Sequence, residues 1–458
     1  MNKNKRFHDV TLKLIKMLNA VLITVPFAVC WMGYYAERTY APYYAKGNWA
    51  VIALFLVLYT VYGNVYDALL LQLSRISEMI YSQSLSALIS DAIMYIVCWL
   101  LTKHLPAVWP LLFVFAAQFL LAAAWSYMAN HWYFRSFPPK RTAVVYDMRE
   151  GLEQLLEEYG LDRRFLVETT VNVKECLEKQ MDALHGMEAV FLCGIHSRER
   201  NIVLKYCVAN HITAYVIPRI GDILMSSARQ MHMLHLPILQ VKKYSPGFEY
   251  VVAKRFLDIV LSGVVLLILS PLMLIVAAAI KATDGGPVFY RQCRLTKDRK
   301  EFTVLKFRSM RVDAEGDGVA RLSTGENDDR ITPVGRVIRK TRIDELPQLL
   351  NIIAGDMSIV GPRPERPEIA EQYEKELPEF ALRLQAKAGL TGYAQVYGKY
   401  NTTPYDKLQM DLMYIAKPSI LEDFRIIFAT VKILFTAEST EGVREGAATA
   451  MEVGKDQV

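Results

Sequence analysis

The apolar segment at residues 256–282, FLDIVLSGVVLLILSPLMLIVAAAIKA, decides how the chain is arranged. It is longer than the roughly 20 residues that a helix needs to cross a hydrocarbon core. Ser270 and Pro271 lie near its middle, and a proline inside a helix removes a backbone hydrogen bond and kinks or breaks the helix. Basic residues flank both ends: Lys254, Arg255 and Lys281. Because basic residues favour the cytoplasmic side of a membrane, we expect a re-entrant helix–break–helix, with an ordinary proline-kinked span as the alternative.

Four further apolar stretches precede this segment, and each is long enough to cross a bilayer. They are Leu14–Tyr35, Trp49–Leu71, Leu85–Leu101 and Pro106–Met128. Basic residues are concentrated before the first stretch and after the last, which places both ends of the set in the cytoplasm. We therefore predict a membrane protein with a four-helix transmembrane domain over residues 1–135. Since these stretches contain few ionisable residues, an anchor is favoured over a transporter.

The composition limits the kinds of partner. The 458 residues carry a net charge of +6, and 52% of them are hydrophobic. The basic residues cluster beside the apolar segments, which favours an anionic membrane surface or phosphorylated substrates over a nucleic acid. The 6 cysteines are scattered without the spacing of a metal site, so we interpret them as small buried side chains in a reducing compartment.

Residues 141–245 alternate short apolar strands with helices, which is typical of a parallel α/β domain. The predicted strands are Thr142–Tyr146, Phe165–Thr170, Ala189–Cys193, Ala214–Ile217 and Ile238–Val241. This pattern is Rossmann-like, but the loop after the first strand lacks the glycine motif that receives a dinucleotide. We therefore favour a structural, dimerising or regulatory role for the domain, with cofactor binding as the alternative.

A second informative stretch, RKTRIDELPQLLN at residues 339–351, carries the acidic pair Asp344 and Glu345. Proline is tolerated in the first turn of a helix, so Pro347 marks a helix start. Four apolar residues then recur at helical spacing and predict one buried face: Leu346, Leu349, Leu350 and Ile353. The pair is therefore expected at the positive end of a helix dipole, where an anion is stabilised.

The surroundings of this pair suit phosphoryl-transfer chemistry. Arginines neutralise phosphate oxygens, and Arg339 and Arg363 are candidates for such a clamp. Arg363 lies in the rigid sequence Gly361-Pro362-Arg363-Pro364, after a short predicted strand. One carboxylate of a pair can act as a nucleophile while its neighbour holds Mg²⁺. On spacing alone, a helix cap with a solvated partner is the alternative.

The stretch from Lys254 to about Phe435 resembles the bacterial sugar transferase family, the monotopic polyprenyl-phosphate sugar-1-phosphate transferases. The matching elements are Lys254-Arg255 with Asp258, Ser270-Pro271, Gly286-Pro287, Lys306-Phe307-Arg308-Ser309-Met310, Asp344-Glu345-Leu346-Pro347-Gln348, Gly361-Pro362-Arg363-Pro364, Gly389-Leu390-Thr391-Gly392, and Asp411 with Tyr414. The four spans and the α/β domain ahead of them resemble the long form of the family, which includes enzymes that start exopolysaccharide, capsule or O-antigen synthesis. One departure is Ala388, where the family usually has proline; the change loosens a turn but removes no chemical group.

The resemblance implies a reaction in which a UDP-sugar donates its sugar 1-phosphate to undecaprenyl phosphate and UMP is released. It implies that Asp344 is the nucleophile of a covalent phosphosugar intermediate and that Glu345 binds Mg²⁺. Further expected catalytic residues are Arg339, Arg363, Lys306 and Asp411. Expected substrate- or phosphate-binding residues are Arg308, Arg342, Pro362, Pro364 and Gln395.

The resemblance also implies where the protein works. We expect a multi-pass protein of the bacterial inner membrane, with an α+β catalytic domain at residues 250–436 on the cytoplasmic face and a disordered tail at 437–458. The expected partners are the UDP-sugar, undecaprenyl phosphate and membrane lipids, with no nucleic acid. A homodimer and the identity of the donor sugar are left open.

Two other functions remain as alternatives. One is a membrane scaffold or regulator whose transferase half is degenerate, although all carboxylates and arginines of the motifs are present. The other is a fusion in which the middle domain modifies sugars with a nucleotide, although the glycine loop is absent.

Overall fold

The computed structural model describes residues 3–43, 46–71, 74–147, 152–153, 156, 161–233, 235–311, 330–398 and 402–434. The chain forms two compact units, Met1–Ile217 and Pro218–Val458. The boundary predicted near residue 245 therefore falls within the second unit. The predicted tail at 437–458 lies outside the described residues.

Four long helices open the first unit: α1 (Lys3–Cys30), α2 (Lys46–Val65), α3 (Ile76–Thr102) and α4 (Trp109–Ser136). Each contains a stretch that is long and apolar enough to cross a membrane, and each overlaps one of the four predicted stretches, although α2 ends at Val65 rather than at Leu71. The third helix begins well before Leu85, because the Arg75 N–H donates to the Glu78 carboxylate (3.0 Å) and caps an earlier first turn.

A neutral polar network joins these four helices, and each helix contributes one fully buried side chain: Asn19, Tyr59, Gln83 and Ser126. Asn19 Nδ2 donates to Gln83 Oε1 (3.0 Å), and the Tyr59 hydroxyl donates to Asn19 Oδ1 (2.9 Å). Gln83 Nε2 donates to Ser126 Oγ (3.0 Å). Because lipid offers no hydrogen-bond partners, such groups bond to one another across helices. We call these four residues the bundle network.

A parallel sheet follows the helices in the first unit. Its strands are β1 (Lys140–Tyr146), β2 (Phe165–Asn172), β3 (Ala189–Cys193) and β4 (Thr213–Val216), in the spatial order β2-β1-β3-β4. All pairings in this sheet are parallel, which confirms the predicted arrangement for the first four strands. Helices α5 (Val173–Glu178) and α6 (Ser197–Ala209) pack on the sheet and share its apolar core.

The fifth predicted strand, Ile238–Val241, is wrong as a member of this sheet. It overlaps β6 (Leu236–Gln240), which pairs antiparallel with β5 (Arg229–Met233). His235, with a left-handed φ of 62°, helps reverse the chain between the two strands, so the pairing is local. This hairpin belongs to the second unit and follows the short helix α7 (Ile220–Ser226).

The segment at 256–282 lies within one continuous helix, α8 (Phe248–Asp284), which is long and apolar enough to cross a membrane. Helical backbone continues through Ser270 and Pro271, so the helix is not interrupted at this pair, and the re-entrant arrangement stays a prediction. Pro271 has no N–H to donate to Leu267 O, and Ser270 Oγ donates to that carbonyl instead (2.9 Å). The serine hydroxyl therefore replaces the hydrogen bond that proline removes.

An α+β assembly follows α8. Its elements are β7 (Phe289–Leu295), β8 (Glu301–Phe307), α9 (Pro333–Lys340), α10 (Gln348–Ala354), β9 (Ser358–Val360), α11 (Pro367–Glu376), β10 (Gly389–Thr391), α12 (Tyr393–Tyr397), α13 (Pro404–Ala416) and α14 (Ile420–Leu434). Strands β7 and β8 pair antiparallel, whereas β9 and β10 pair parallel. One core joins β9 to the later helices: Val360, Tyr373, Phe380, Leu408, Leu412 and Ile426.

The cysteines follow the prediction in most cases. Four are buried: Cys98, Cys176, Cys193 and Cys207. Cys293 is exposed, because most side chains of β7 face solvent. For that residue the predicted burial is wrong.

Candidate active site

The acidic pair lies in a short turn between two helices. Asp344 and Glu345 belong to the 3₁₀ turn Ile343–Glu345, which separates α9 from α10. Arg342, directly before the turn, has a left-handed φ of 56°. Pro347 stands immediately before α10, as the sequence predicts. The pair therefore lies at the N-terminal side of α10, in a turn of its own.

The predicted buried face of α10 is wrong in part. Leu349 and Ile352 are buried and pack with Phe302 of β8. Leu350 and Ile353, however, are 44% and 38% exposed. The helix has only 7 residues and packs through one narrow side, so helical spacing alone overstates its buried face.

Glu345 is held by two cations from different parts of the unit. Its Oε1 accepts hydrogen bonds from Lys306 Nζ (2.8 Å), at the end of β8, and from Arg363 Nη2 (3.0 Å), in the loop after β9. Burial alone would raise the pKa of Glu345, but Lys306 and Arg363 outweigh it and hold that pKa well below its usual range. Glu345 is therefore ionised at neutral pH.

Asp344 has different surroundings from its neighbour. Its Oδ1 atom is buried and has no hydrogen-bond partner in the described part of the chain. Burial, followed by the negative charge of Glu345, raises the pKa of Asp344 to about 6. Three cations oppose this shift: Lys306, Arg339 and Arg342. At neutral pH Asp344 is thus a carboxylate with one uncommitted oxygen.

Close backbone contacts with β10 fix the loop that carries Arg363. The Gly389 N–H donates to Pro362 O (2.8 Å) across the two segments. A side chain at Gly361 would collide with the backbone carbonyl of Lys387. Glycine permits this approach because it has no Cβ, so the position of the loop is set by the strand beside it.

A buried arginine that the sequence does not single out supports this loop from behind. Arg383 is 3% exposed, and its Nη2 donates to the backbone carbonyl of Arg363 (2.9 Å). Its Nε donates to Asp411 Oδ2 (2.9 Å). Asp411 is itself 1% exposed, and within the described residues its hydrogen bonds lead to Arg383 rather than to the acidic pair. Asp411 therefore acts on Arg363 through Arg383, as a positioning residue.

The remaining predicted binding residues lie around β8, the loop and α12. Pro362 and Pro364 flank Arg363, and Arg308 is buried just after β8. Gln395 lies on α12, and both polar atoms of its amide are enclosed without a hydrogen-bond partner in the part of the chain that the structure describes. A side chain at Gly392, directly after β10, would collide with the amide oxygen of Gln395, so this amide lies against the glycine.

The sequence predicts Mg²⁺ at this acidic pair. Among the described residues, no group of three or more His, Cys, Asp or Glu side chains could hold a metal ion. Mg²⁺ commonly binds one or two carboxylates and completes its shell with water and substrate phosphates. The pair fits such a site, because Asp344 Oδ1 is uncommitted and Glu345 is ionised. Glu345 Oε1, however, already accepts two hydrogen bonds.

Ala388, which replaces a proline of the family pattern, makes a hydrogen bond that proline cannot. Its N–H donates to Thr296 Oγ1 (3.1 Å). The Thr296 hydroxyl in turn donates to Asp356 O (2.9 Å). The hydrogen bond from Ala388 to Thr296 restrains the turn and so offsets the loosening that the sequence predicts.

The second unit thus combines an apolar helix of membrane-spanning length with a carboxylate pair and several cations, an arrangement typical of membrane proteins that handle phosphorylated substrates. A profile of the family described as bacterial sugar transferase matches residues 249–437. The exopolysaccharide production protein PSS of Rhizobium leguminosarum bv. phaseoli is 43% identical over 189 residues, which cover 39% of this chain and 94% of the relative. The chain belongs to the bacterial sugar transferase family.

Two further relatives carry more specific names. A UDP-glucose:undecaprenyl-phosphate glucose-1-phosphate transferase of Caulobacter vibrioides is 41% identical over 191 residues, which cover 41% of this chain and 71% of the relative. A UDP-N-acetylgalactosamine-undecaprenyl-phosphate N-acetylgalactosaminephosphotransferase of Aeromonas hydrophila is 37% identical over 236 residues. That match covers 51% of this chain and 55% of the relative, so the chain spans about half of that relative's length.

Proposed function

We propose that this chain transfers a sugar 1-phosphate from a UDP-sugar to undecaprenyl phosphate and releases UMP, the first membrane step of cell-surface polysaccharide synthesis. The names of two relatives describe this type of reaction for those proteins. The observation that carries the proposal is the asymmetry of the acidic pair. Glu345 is bound by two cations, whereas Asp344 keeps a buried oxygen without a partner among the described residues.

In the first step, the ionised Asp344 carboxylate attacks the phosphorus that carries the sugar. A bond forms between an Asp344 oxygen and this phosphorus, while the bond to the bridging diphosphate oxygen breaks and UMP leaves. Lys306 and Arg363 neutralise charge that develops on the phosphoryl oxygens. Glu345 is the poorer nucleophile, because its low pKa and its two hydrogen bonds reduce the reactivity of its oxygen.

In the second step, the phosphate of undecaprenyl phosphate attacks the same phosphorus. The new bond links the two phosphates, and the Asp344 carboxylate leaves in its original form. The product is undecaprenyl diphosphate-sugar. Each step forms one phosphorus–oxygen bond and breaks another, without oxidation or reduction. Arg339 and Arg342, which act electrostatically on Asp344, favour the return of the carboxylate as an anion.

Mg²⁺ is part of this proposal, with Glu345 as its protein ligand. When bound, the ion supplies positive charge to diphosphate oxygens. Calorimetric titration of Mg²⁺ into the full chain tests this assignment independently of activity. Glu345→Gln should weaken Mg²⁺ binding, and unchanged binding would remove Glu345 from the set of ligands.

The reaction is tested with the full chain in lipid nanodiscs. UMP release from a UDP-sugar should reach multiple turnovers only with undecaprenyl phosphate and Mg²⁺. Asp344→Asn should abolish it, because the amide is a poor nucleophile, and intact-mass measurement should detect a sugar-phosphate adduct on the wild type alone. Glu379→Gln, which changes an exposed carboxylate of the same unit, serves as the matched control. An active Asp344→Asn enzyme would overturn the nucleophile assignment.

The donor sugar requires its own experiment, because the relatives name different donors. One is named for N-acetylgalactosamine and another for glucose. A panel of UDP-glucose, UDP-galactose and their N-acetylated forms, scored by UMP release, identifies the preferred donor. Gln395, with an enclosed amide that has no partner among the described residues, is the proposed binding residue on α12.

We also propose that the chain is a multi-pass protein of the bacterial inner membrane with the site on the cytoplasmic face. In this topology α8 bends at Pro271 and is re-entrant, so that both of its ends face the cytoplasm. The basic residues at both ends and the Ser270–Pro271 pair support it. Cysteine labelling at engineered positions before Lys254 and after Lys281 should show the same sidedness; opposite sidedness would make α8 an ordinary span.

The parallel sheet of the first unit keeps its proposed Rossmann-like, structural or regulatory role, and a homodimer stays a prediction. The molecular mass of the detergent-solubilised chain tests the homodimer. The alternative of a degenerate scaffold is less well supported, because Lys306, Glu345 and Arg363 form an assembled cluster. The absence of UMP release with every donor of the panel would favour the scaffold.

A further inference from the structure

Four side chains form a cluster between the first turns of α8 and the helices α13 and α14. They are Tyr250 and Lys254 of α8, Tyr414 of α13 and Asp423 of α14, and we call them the helix clamp. Asp423 accepts hydrogen bonds from Lys254 Nζ (3.0 Å), the Tyr250 hydroxyl (3.1 Å) and the Tyr414 hydroxyl (2.7 Å). Because Asp423 is only 5% exposed, the Lys254 ammonium balances its charge within the cluster.

The helix clamp is connected to β9, the strand that leads to Arg363. The Tyr414 hydroxyl lies 3.3 Å from the carbonyl oxygen of Val360, the last residue of β9. On the same part of α8, Asp258 Oδ1 accepts the N–H of Ile359 (3.0 Å). Ile359 is therefore held directly from α8, and Tyr414, whose one hydroxyl proton goes to Asp423, packs against Val360.

The same turns of α8 also hold the helix that follows the acidic pair. Arg255 donates to two of the last carbonyls of α10, Ile352 O (2.6 Å) and Ile353 O (2.8 Å). Ile352 O also accepts the N–H of the C-cap residue Gly355 (3.1 Å), so the arginine adds to the cap at the C-terminal end of α10. Both halves of the site, the acidic pair before α10 and Arg363 after β9, are thus attached to one end of α8.

We propose that the helix clamp, together with Arg255 and Asp258, positions the site relative to the membrane and thereby governs the step that uses the lipid acceptor. Within the described residues of the second unit, α8 is the one helix long and apolar enough to cross a membrane. The proposal rests on the proposed function, in which the donor is water-soluble and the acceptor phosphate stays at the membrane. A shift of the site relative to α8 therefore affects the acceptor step more than the donor step.

The test separates the two steps in nanodiscs. Without acceptor, a single burst of UMP reports the donor step; with acceptor, the KM for undecaprenyl phosphate and the decay of the aspartyl adduct report the second step. Tyr250→Phe removes the two contacts that its hydroxyl makes with Tyr414 and Asp423 but keeps the ring. We expect the burst rate to stay within about twofold and the acceptor step to weaken about fivefold to tenfold, since a net hydrogen bond contributes about 1 kcal/mol.

A matched control comes from α12. The Tyr393 hydroxyl donates to Glu422 of α14, and in the described part of the chain its hydrogen bond leads to no residue of α8. Tyr393→Phe therefore removes a tyrosine hydroxyl that bonds to α14 and keeps the ring, which packs beside Tyr414 of the helix clamp. Both steps should keep their wild-type rates in this variant.

A second pair of variants, at Asp258, distinguishes loss of this hydrogen bond from misfolding. Asp258→Ala removes the acceptor for the Ile359 N–H, whereas Asp258→Asn keeps a carbonyl oxygen in its place. The alanine variant should weaken the acceptor step about fivefold and the asparagine variant should restore it, with thermal unfolding in nanodiscs recorded for both.

The outcomes distinguish this inference from the function on which it rests. A wild-type chain that releases no UMP with any donor would overturn the proposed function. Wild-type activity combined with an equal loss of both steps in Tyr250→Phe and Asp258→Ala would overturn the inference alone, as would an unchanged acceptor step in both variants.

Discussion

The bundle network of the first unit and the charged cluster of the second unit both bring polar side chains together, but with opposite chemistry. The charged cluster consists of Lys306, Asp344, Glu345 and Arg363. In the bundle network, Gln83 bonds through its amide oxygen to Asn19 and through its amide nitrogen to Ser126, and no member is charged. In the charged cluster, Glu345 has two cationic partners, whereas Asp344 Oδ1 has none among the described residues. A saturated network specifies one packing arrangement, whereas an uncommitted buried atom is available for chemistry.

This contrast predicts which substitutions affect stability and which affect reaction. Residues of the bundle network should change the free energy of unfolding and leave UMP release intact. Residues of the charged cluster should change UMP release, and in one case they should do so while stabilising the fold.

The largest effect on the free energy of unfolding is expected at Arg383, which supports both the fold and the Arg363 loop. Arg383→Met leaves Asp411 buried without its cation and should lower the free energy of unfolding by about 3–5 kcal/mol. It also removes a donor from the Arg363 carbonyl, so UMP release should fall about 100-fold. The double variant Arg383→Met/Asp411→Leu should recover stability but not UMP release. Recovery of both would show that Arg383 serves the fold alone.

Asp344→Asn should stabilise the protein while abolishing UMP release. The pKa of Asp344 is raised from 3.8 to about 6 in the folded state, so its contribution to stability is present at acid pH and is lost as the pH rises through 6. At pH 8 the amide should therefore stabilise the fold by up to about 3 kcal/mol, with almost no effect below about pH 4. Chemical denaturation at both pH values measures this, with Glu379→Gln as control. Equal effects at both pH values would contradict the assignment.

The pH dependence of the wild type follows from the same group. UMP release should decline as the pH falls through about 6, because protonated Asp344 cannot attack phosphorus. The decline should approach about tenfold per pH unit in the burst without acceptor. A burst rate that stays constant from pH 8 down to pH 5 would point to a nucleophile other than Asp344.

Gln83→Leu tests the other side of the comparison. It removes hydrogen bonds to Asn19, Ser126 and the carbonyl of Ala68. This loss should lower the free energy of unfolding in a membrane environment by about 2 kcal/mol. Resistance to denaturing detergent measures the loss. UMP release by the folded fraction should not change, and a selective loss of UMP release would assign the bundle network a catalytic influence.

The smallest effect is expected at Ala388. Ala388→Pro removes the donor to Thr296 Oγ1 and should lower the free energy of unfolding by about 1 kcal/mol. In a Thr296→Val background the acceptor is already absent, so the same proline should change the free energy of unfolding only slightly. Thermal unfolding of the four variants forms a double-mutant cycle, and simple additivity would show that the hydrogen bond contributes nothing.

Features that depend on composition or on charge within one motif could be predicted from the sequence. Hydropathy located the four helices, because each stretch is apolar over its whole length. The motifs named Lys306, Glu345 and Arg363, and opposite charges explain why they meet. The parallel strands followed from alternation with helices, apart from β6, whose antiparallel partner β5 is built of mostly exposed residues.

Features that depend on a distant partner could not be predicted. Nothing next to Arg383 in the sequence distinguishes it from a solvated arginine, because its partners Asp411 and the Arg363 carbonyl come from other segments. In α8 the Ser270 hydroxyl donates to the carbonyl that Pro271 leaves without a donor, and proline alone indicates a break whether or not a neighbouring side chain replaces that donor.

The left-handed backbone of Arg342 has a consequence for the evolution of the site. Glycine adopts this conformation without steric strain, whereas for other residues it raises the free energy of the folded state by roughly 1–2 kcal/mol. The chain nevertheless has arginine there, next to the carboxylate that the guanidinium helps to keep ionised. Arg342→Gly would relax the backbone and raise the pKa of Asp344 further. A residue that relieves strain is therefore not the residue that best serves the reaction, and selection for stability alone would remove a charge from the site.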